Sequence, residues 1–193
     1  KKGIFIVVDG IDGSGKSEIV KMLHNYLFSN DKKYRILTTR EPTNGNYGGE
    51  IRSILSEEND PASSSTKLMD LFIKDREEHL KTIIEPFLNN SNGNEVNIVL
   101  CDRYYYSTIA FQSAQGLDIK NIMEKNKYFR KPDIAFILDV EPSLALKRIE
   151  YRKKEKFEQL NFMKRIRENF LKLPKVLDDR IIVIDSSRHL KEV

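Results

Sequence analysis

Residues 10–17 read GIDGSGKS, in which Gly10, Gly15, Lys16 and Ser17 match the spacing G-x-x-x-x-G-K-[ST]. Glycines there let backbone N–H groups turn inward, a lysine adds positive charge, and a hydroxyl follows at once. Such groups bind nucleotide phosphates, with Lys16 directed at the β- and γ-phosphates and Ser17 at magnesium. Gly10, Ile11, Asp12, Gly13, Ser14 and Gly15 are thus expected to wrap the phosphates of ATP. Asp12 is the anomaly, because a carboxylate facing phosphate would be repelled.

A second anionic site is expected at Asp102 and Arg103, which follow the apolar run VNIVLC (96–101). The aspartate could hold a metal's water shell and the arginine could clamp a second phosphate; alternatively the two form a structural ion pair. In TKLMDLFIKDREEHLKTII (66–84), Leu68, Met69, Phe72 and Ile83 fall on one helical face, and Arg76 lies in the middle of it. A charge in an apolar stripe needs a partner. Arg76 and Phe72 could read a base by an edge hydrogen bond and stacking, or Arg76 could pair with a buried carboxylate while Phe72 is core. LKRIEYRKKEKFE (146–158) could carry arginines over the phosphates on a lid at about 148–158, or be a solvated helix end.

Five short apolar runs must position these groups: 3–9, 34–40, 96–101, 134–140 and 180–185. They are continuous rather than alternating, as in strands buried on both faces. Helical patterns at 15–29, 48–56, 66–85, 104–115, 118–127, 142–153 and 158–177 lie between them. The order predicts a three-layer α/β/α fold with a five-stranded parallel sheet, and residues 1–193 read as one domain. Within 158–177, Met163, Ile166, Phe170 and Leu173 have the spacing of core residues. Of 193 residues, 39% are hydrophobic and 32% charged, and no apolar run approaches the ~18 residues of a membrane span. The 33 basic residues are interspersed with 29 acidic ones, without the one-sign block of a nucleic-acid arm. Three scattered histidines make no metal cluster, and the single cysteine, Cys101, fits a reducing compartment and a cytoplasmic protein.

The chain resembles the thymidylate kinases. The motifs that carry this are GIDGSGKS, TREPT (39–43), LFIKDREEH (71–79), DRYYYSTIAFQ (102–112), PDIAFILDV (132–140), the basic stretch near Arg148 and VIDSS (183–187). After TREP, TNGNYGGE (43–50) replaces the G-G-T of many bacterial members. The resemblance implies a P-loop NTPase fold and ATP-dependent phosphorylation of dTMP to dTDP by a homodimer with Mg²⁺. It implies that Phe72 stacks on thymine, that Arg76 and Thr108 contact the base, and that Arg103 and Arg40 grip the monophosphate. Phe111 would pack against the sugar, and Gln112 belongs to the same dTMP site. Ser17 and Asp102 would serve the metal. Arg148 and Arg152 match lid arginines, with Lys153 and Lys154 as rivals for the role of Arg152.

Lys16, Arg103, Arg152 and Asp12 are therefore the expected catalytic residues. Asp12 could accept a hydrogen bond from the sugar 3′-hydroxyl, pair with an acceptor-binding arginine, or enter the outer shell of magnesium. A deoxynucleoside kinase, another nucleoside monophosphate kinase and a non-enzymatic nucleotide-binding module are the rival readings. A GTPase switch fits poorly, because Asn126-Lys127 is followed by Tyr and Phe rather than completing N-K-x-D.

Overall fold

The computed structural model describes residues 3–57, 64–90, 93–149, 156–188 and 192–193. Five strands, β1 (Ile4–Gly10), β2 (Tyr34–Arg40), β3 (Val96–Asp102), β4 (Ile134–Asp139) and β5 (Ile181–Asp185), form one parallel sheet in the order β2-β3-β1-β4-β5. Successive residues of the central strands face opposite layers, and both layers are apolar. Phe5, Val7, Val99, Cys101, Ala135 and Ile137 enter one core, with α5 (Tyr105–Ala114) and α8 (Lys156–Val176). Val8, Ile98, Leu100 and Leu138 enter the other, under Val20 of α1 (Lys16–Asn30). The three-layer parallel architecture expected from the sequence is the one found. Met163, Ile166, Phe170 and Leu173 are buried as their spacing requires.

The remaining helices are α2 (Asn46–Glu57), α3 (Ser65–His79), α4 (Glu85–Asn89), α6 (Ile119–Asn126) and α7 (Pro142–Arg148). The predicted helix 66–85 is interrupted: residues Leu80–Ile84 widen into a π turn, with the Glu85 N–H donating to the Leu80 carbonyl. Pro86 explains the break, since it has no N–H and its ring crowds the carbonyl four residues back. The added residue shifts the helical phase, so Ile83, expected on the apolar face, is 40% exposed. Leu68 and Met69 are buried on that face as expected. At the start of α2, a Cβ on Gly48 would lie 1.9 Å from the Thr43 carbonyl oxygen, so only glycine lets TNGNYGGE pack back on itself. Among the described residues no helix is long and apolar enough to cross a membrane.

Strand order decides where the site lies. From β1 the chain moves outward to β2 and back to β3, then crosses over to β4 on the other side of β1. The carboxyl ends of β1 and β3 therefore flank a topological switch point, where open α/β sheets place their ligands.

Candidate active site

GIDGSGKS occupies that switch point. Gly13 has φ 77°, and a Cβ there would meet the Ala145 carbonyl oxygen of α7 at 2.4 Å, so the loop tolerates no side chain at that position. Gly15, with φ 95°, turns the chain into α1. The N–H groups of Gly15, Lys16 and Ser17 have no acceptor among the described residues, and they open a helix whose dipole favours an anion. The Lys16 ammonium lies inside the loop, donating to the Gly10 and Ile11 carbonyls at 3.0 and 2.8 Å. Burial, reinforced by the charge of Arg103, brings its pKa down to about 8. Ile11 and Ser14 are buried, and the Ser14 hydroxyl has no partner among the described residues.

Asp102 ends β3 beside this loop. Its Oδ2 accepts a 2.7 Å hydrogen bond from the Ser17 hydroxyl, whereas Oδ1 is buried without a partner among the described residues. A buried carboxylate oxygen left open beside a hydroxyl is a fitting seat for the water shell of a hard cation. Among the described residues no three His, Cys, Asp or Glu side chains come together to hold a metal. The donors present therefore suit a cation whose other ligands are phosphate oxygens and water.

Arg103 leaves the sheet in the left-handed region, at φ 72°, a strained conformation for a non-glycine residue. Three bonds hold it there. Its N–H donates to Val8 O, the Cys101 thiol donates to its carbonyl, and the next N–H, of Tyr104, donates to Asp9 Oδ2. Asp9 is fully buried and also accepts from Gly10 N–H, Ser107 N–H and the Ser107 hydroxyl. One carboxylate thus clamps the phosphate loop to the start of α5. The Arg103 guanidinium pairs with Asp12, donates to Ser107 Oγ at 3.1 Å and lies 5.4 Å from the half-buried Phe111 ring. Burial favours a neutral Asp12, but Arg103 and Lys16 outweigh it and hold the carboxyl below its usual range. Of the roles open to Asp12, the structure shows the pairing with an arginine.

A cleft of about 280 Å³ is lined by Asp12, Gly13, Gly15, Lys16, Ser17, Glu18, Arg40, Asp102 and Arg103. Arg40, at the end of β2, is exposed and has no ion-pair partner among the described residues. The phosphate loop, the two candidate metal-binding residues Ser17 and Asp102, and Arg40 with Arg103 thus share one cavity.

The expected base-reading residues lie apart from that lining. Phe72 is half-buried, against Ile51, Leu68 and Leu71 between α2 and α3. Arg76 is 1% exposed, and its Nε donates to Glu41 at 2.9 Å, Nη1 to Asn126 at 2.7 Å and Nη2 to Thr108 Oγ1 at 3.0 Å. The buried-carboxylate partner considered from the sequence therefore exists, and it is Glu41. Gln112 is buried, its amide donates to Gln115, and its Oε1 has no partner among the described residues. Arg148 ends α7 and donates to Gly13 O at 3.4 Å and to Ser186 O at 3.0 Å, bracing the phosphate loop against the strand after it. Arg152, Lys153, Lys154 and most of the expected lid lie outside the described residues.

Sequence reasoning missed Asp9, Glu41, Asp75, His79 and Asn126. Arg76 did signal that a buried carboxylate was needed, but nothing in the sequence pointed to position 41.

A glycine-rich loop between a strand and a helix, at a switch point and with a metal-competent aspartate on the neighbouring strand, defines a P-loop nucleotide-binding protein. The family model described as Thymidylate kinase matches residues 8–193. The chain belongs to the thymidylate kinase family. It is 38% identical over 187 residues to a Pyrococcus horikoshii protein named "Probable thymidylate kinase", covering 94% of this chain and 88% of that one. Against the "Thymidylate kinase" of Leptospira interrogans serovar Lai it is 39% identical over 197 residues, covering 100% and 91%. The Archaeoglobus fulgidus "Probable thymidylate kinase" is 38% identical over 192 residues, covering 98% and 90%.

Proposed function

We propose that this chain transfers the γ-phosphoryl group of ATP to the 5′-phosphate of dTMP, giving dTDP for dTTP synthesis. One observation carries the reading: the free N–H groups and Lys16 of the phosphate loop share a cleft with Arg40 and Arg103. Phosphoryl transfer needs chiefly the alignment of two anionic groups and neutralisation of their charge. The loop binds one end, and the two arginines receive the other. Lys16 lies inside the loop that would take the donor phosphates, and Ser17 with Asp102 would hold Mg²⁺. When bound, that ion supplies charge neutralisation across the phosphates.

A deoxynucleoside kinase would instead need a carboxylate free to take a proton from a sugar hydroxyl. Here two arginines, Arg40 and Arg103, line the cleft beside the phosphate loop, which suits an anionic acceptor better than a sugar hydroxyl. A coupled assay with ATP and Mg²⁺ over a panel of nucleosides and monophosphates separates these readings. dTMP is turned over and thymidine is not; the reverse result removes the proposal. The family resemblance supports a homodimer, which light scattering on the eluting protein tests. The single buried Cys101 supports a reducing, cytoplasmic setting.

A further inference from the structure

Asp9 is fully buried near the end of β1 and has no part in the proposed reaction, yet four donors converge on it. Its Oδ1 accepts from the Gly10 N–H at 2.8 Å and the Ser107 hydroxyl at 2.7 Å. Its Oδ2 accepts from the N–H groups of Tyr104 and Ser107 at 3.1 and 3.0 Å. Tyr104, the residue before α5, makes no side-chain cap of its own. Asp9 therefore caps α5 from a different strand, with the sign of charge that a helix start favours. Burial raises its pKa, while Arg103, the Ser107 hydroxyl and Lys16 favour the charged form.

The polarity of Ser107 follows from this. A carboxylate only accepts, so the hydroxyl must donate its single proton to Asp9 and turn its lone pairs elsewhere. Arg103 Nη1 takes one of them at 3.1 Å, and Nη2 pairs with Asp12 of the phosphate loop. A closed ring results: Gly10 to Asp9, Asp9 to Ser107, Ser107 to Arg103, and Arg103 back to the loop at Asp12. Asp9 also fixes the backbone that carries Arg103, since the Tyr104 N–H follows directly on its left-handed φ of 72°. Arg103 lines the cleft, and its remaining side-chain N–H groups have no acceptor among the described residues.

We propose that Asp9, acting through Ser107, is a positioning residue that sets the Arg103 guanidinium in register with the phosphate loop. This rests on the dTMP-kinase reading above, in which Arg103 receives the acceptor phosphate. Asp9→Asn offers one oxygen where two are needed. Turned toward the N–H groups of Tyr104 and Ser107, that oxygen leaves the amide nitrogen facing the Gly10 N–H, donor to donor. The same nitrogen donates to Ser107 Oγ, which frees the hydroxyl proton to point at Arg103 Nη1, again donor to donor. One substitution thus disturbs both the loop and the arginine. Ser107→Ala disturbs only the arginine, because the three backbone N–H bonds to Asp9 remain.

The test measures the Kd of dTMP alone, and separately of ATP with Mg²⁺, by titration calorimetry on the full chain. Ser107→Ala weakens dTMP by ~3–10-fold, the net worth of one hydrogen bond, and shifts ATP by less than ~2-fold. Asp9→Asn weakens dTMP by ~10-fold or more and ATP as well. In an Arg103→Met background the dTMP loss from Ser107→Ala disappears, because the residue through which it acts is gone. The proposal is overturned if Ser107→Ala leaves dTMP binding unchanged, weakens ATP equally, or costs the same factor without Arg103. It is overturned too if Asp9→Asn binds both nucleotides like the parent. Should Asp9→Asn fail to fold, Ser107→Ala with and without Arg103 decides. An unmodified protein that binds ATP but not dTMP defeats the functional reading instead, so the two failures are distinguishable.

Discussion

The phosphate-loop cleft and the α3 network are built on opposite terms. At the phosphate loop, groups are left open: the first N–H groups of α1, Asp102 Oδ1, the Ser14 hydroxyl and Arg40 lack partners among the described residues. At α3 the polar groups are tied to one another, with Arg76, Glu41, His79 and Asp75 all bonded and buried. The first arrangement lets an incoming anion gain contacts without breaking any. The second is satisfied by itself, its members paired with one another. The phosphate loop thus stores unmet hydrogen-bonding capacity, while the α3 network stores geometry.

Removing a cation should therefore affect stability unequally in the two regions. Arg76→Met leaves the Glu41 carboxylate buried with only His79 beside it, a loss of about 3–5 kcal/mol of stability, together with a raised KM for dTMP. Chemical denaturation measures the first and steady-state kinetics the second. A variant as stable as the parent would mean that the α3 network contributes little.

Lys16→Met should cost no melting temperature, because the fold already disfavours that charge, as its pKa of about 8 shows. Its cost falls on catalysis, a drop of ~10²–10³ in kcat, typical of losing one fixed donor to a developing charge. Thermal melts and single-turnover rates on the same preparation test both halves. A stability loss as large as that of Arg76→Met would erase the distinction between the two regions.

The same lysine sharpens the contrast through pH. Burial and Arg103 lower its pKa in the free protein, and ATP phosphates, being anionic, raise it again. Below about pH 8 the free protein already carries the proton, so this group adds no pH dependence to binding. Above it, binding must take up a proton, and ATP affinity falls by up to ~10-fold per pH unit until the bound-state pKa is passed. For folding the sign is reversed: the folded pKa lies below the unfolded value, so this penalty is full below about pH 8 and fades as pH rises toward the unfolded pKa. Titration calorimetry at pH 9 in buffers of different ionisation heat should show proton uptake in the parent and none in Lys16→Met.

The two regions also differed in how far the sequence revealed them. The phosphate loop is contiguous, and its glycines are dictated by backbone geometry, so eight residues carried the signal. The strands were legible because burial on both faces leaves continuous apolar runs. At α3, Arg76 on an apolar face announced that a partner was needed, but Glu41 and Asn126 lie 35 and 50 residues away. No local pattern records a pairing over that distance. The π turn at Leu80–Ile84 was missed for a similar reason, since Pro86 marks a break without saying whether the helix ends or widens.

The smallest expected effect concerns Asp12. Its side chain is 58% exposed and pairs with Arg103, itself 18% exposed and held on its other side by Ser107. An ion pair this open to water contributes at most ~1 kcal/mol, or about fivefold in affinity. Asp12 therefore orients Arg103 rather than anchoring the fold. Asp12→Asn keeps an acceptor oxygen for Arg103 and should change kcat/KM for dTMP by less than Asp12→Ala, which loses up to about fivefold. Two cycles locate the partner. Combined with Arg103→Lys, Asp12→Ala should cost less than the sum of the single losses, because both substitutions break one pair. Tested on 3′-deoxy-dTMP, Asp12→Ala should lose the same factor as on dTMP. If instead the loss vanishes with the 3′-hydroxyl, the sugar is the partner of Asp12 once substrate is bound, and the Asp12–Arg103 pair seen here opens on binding.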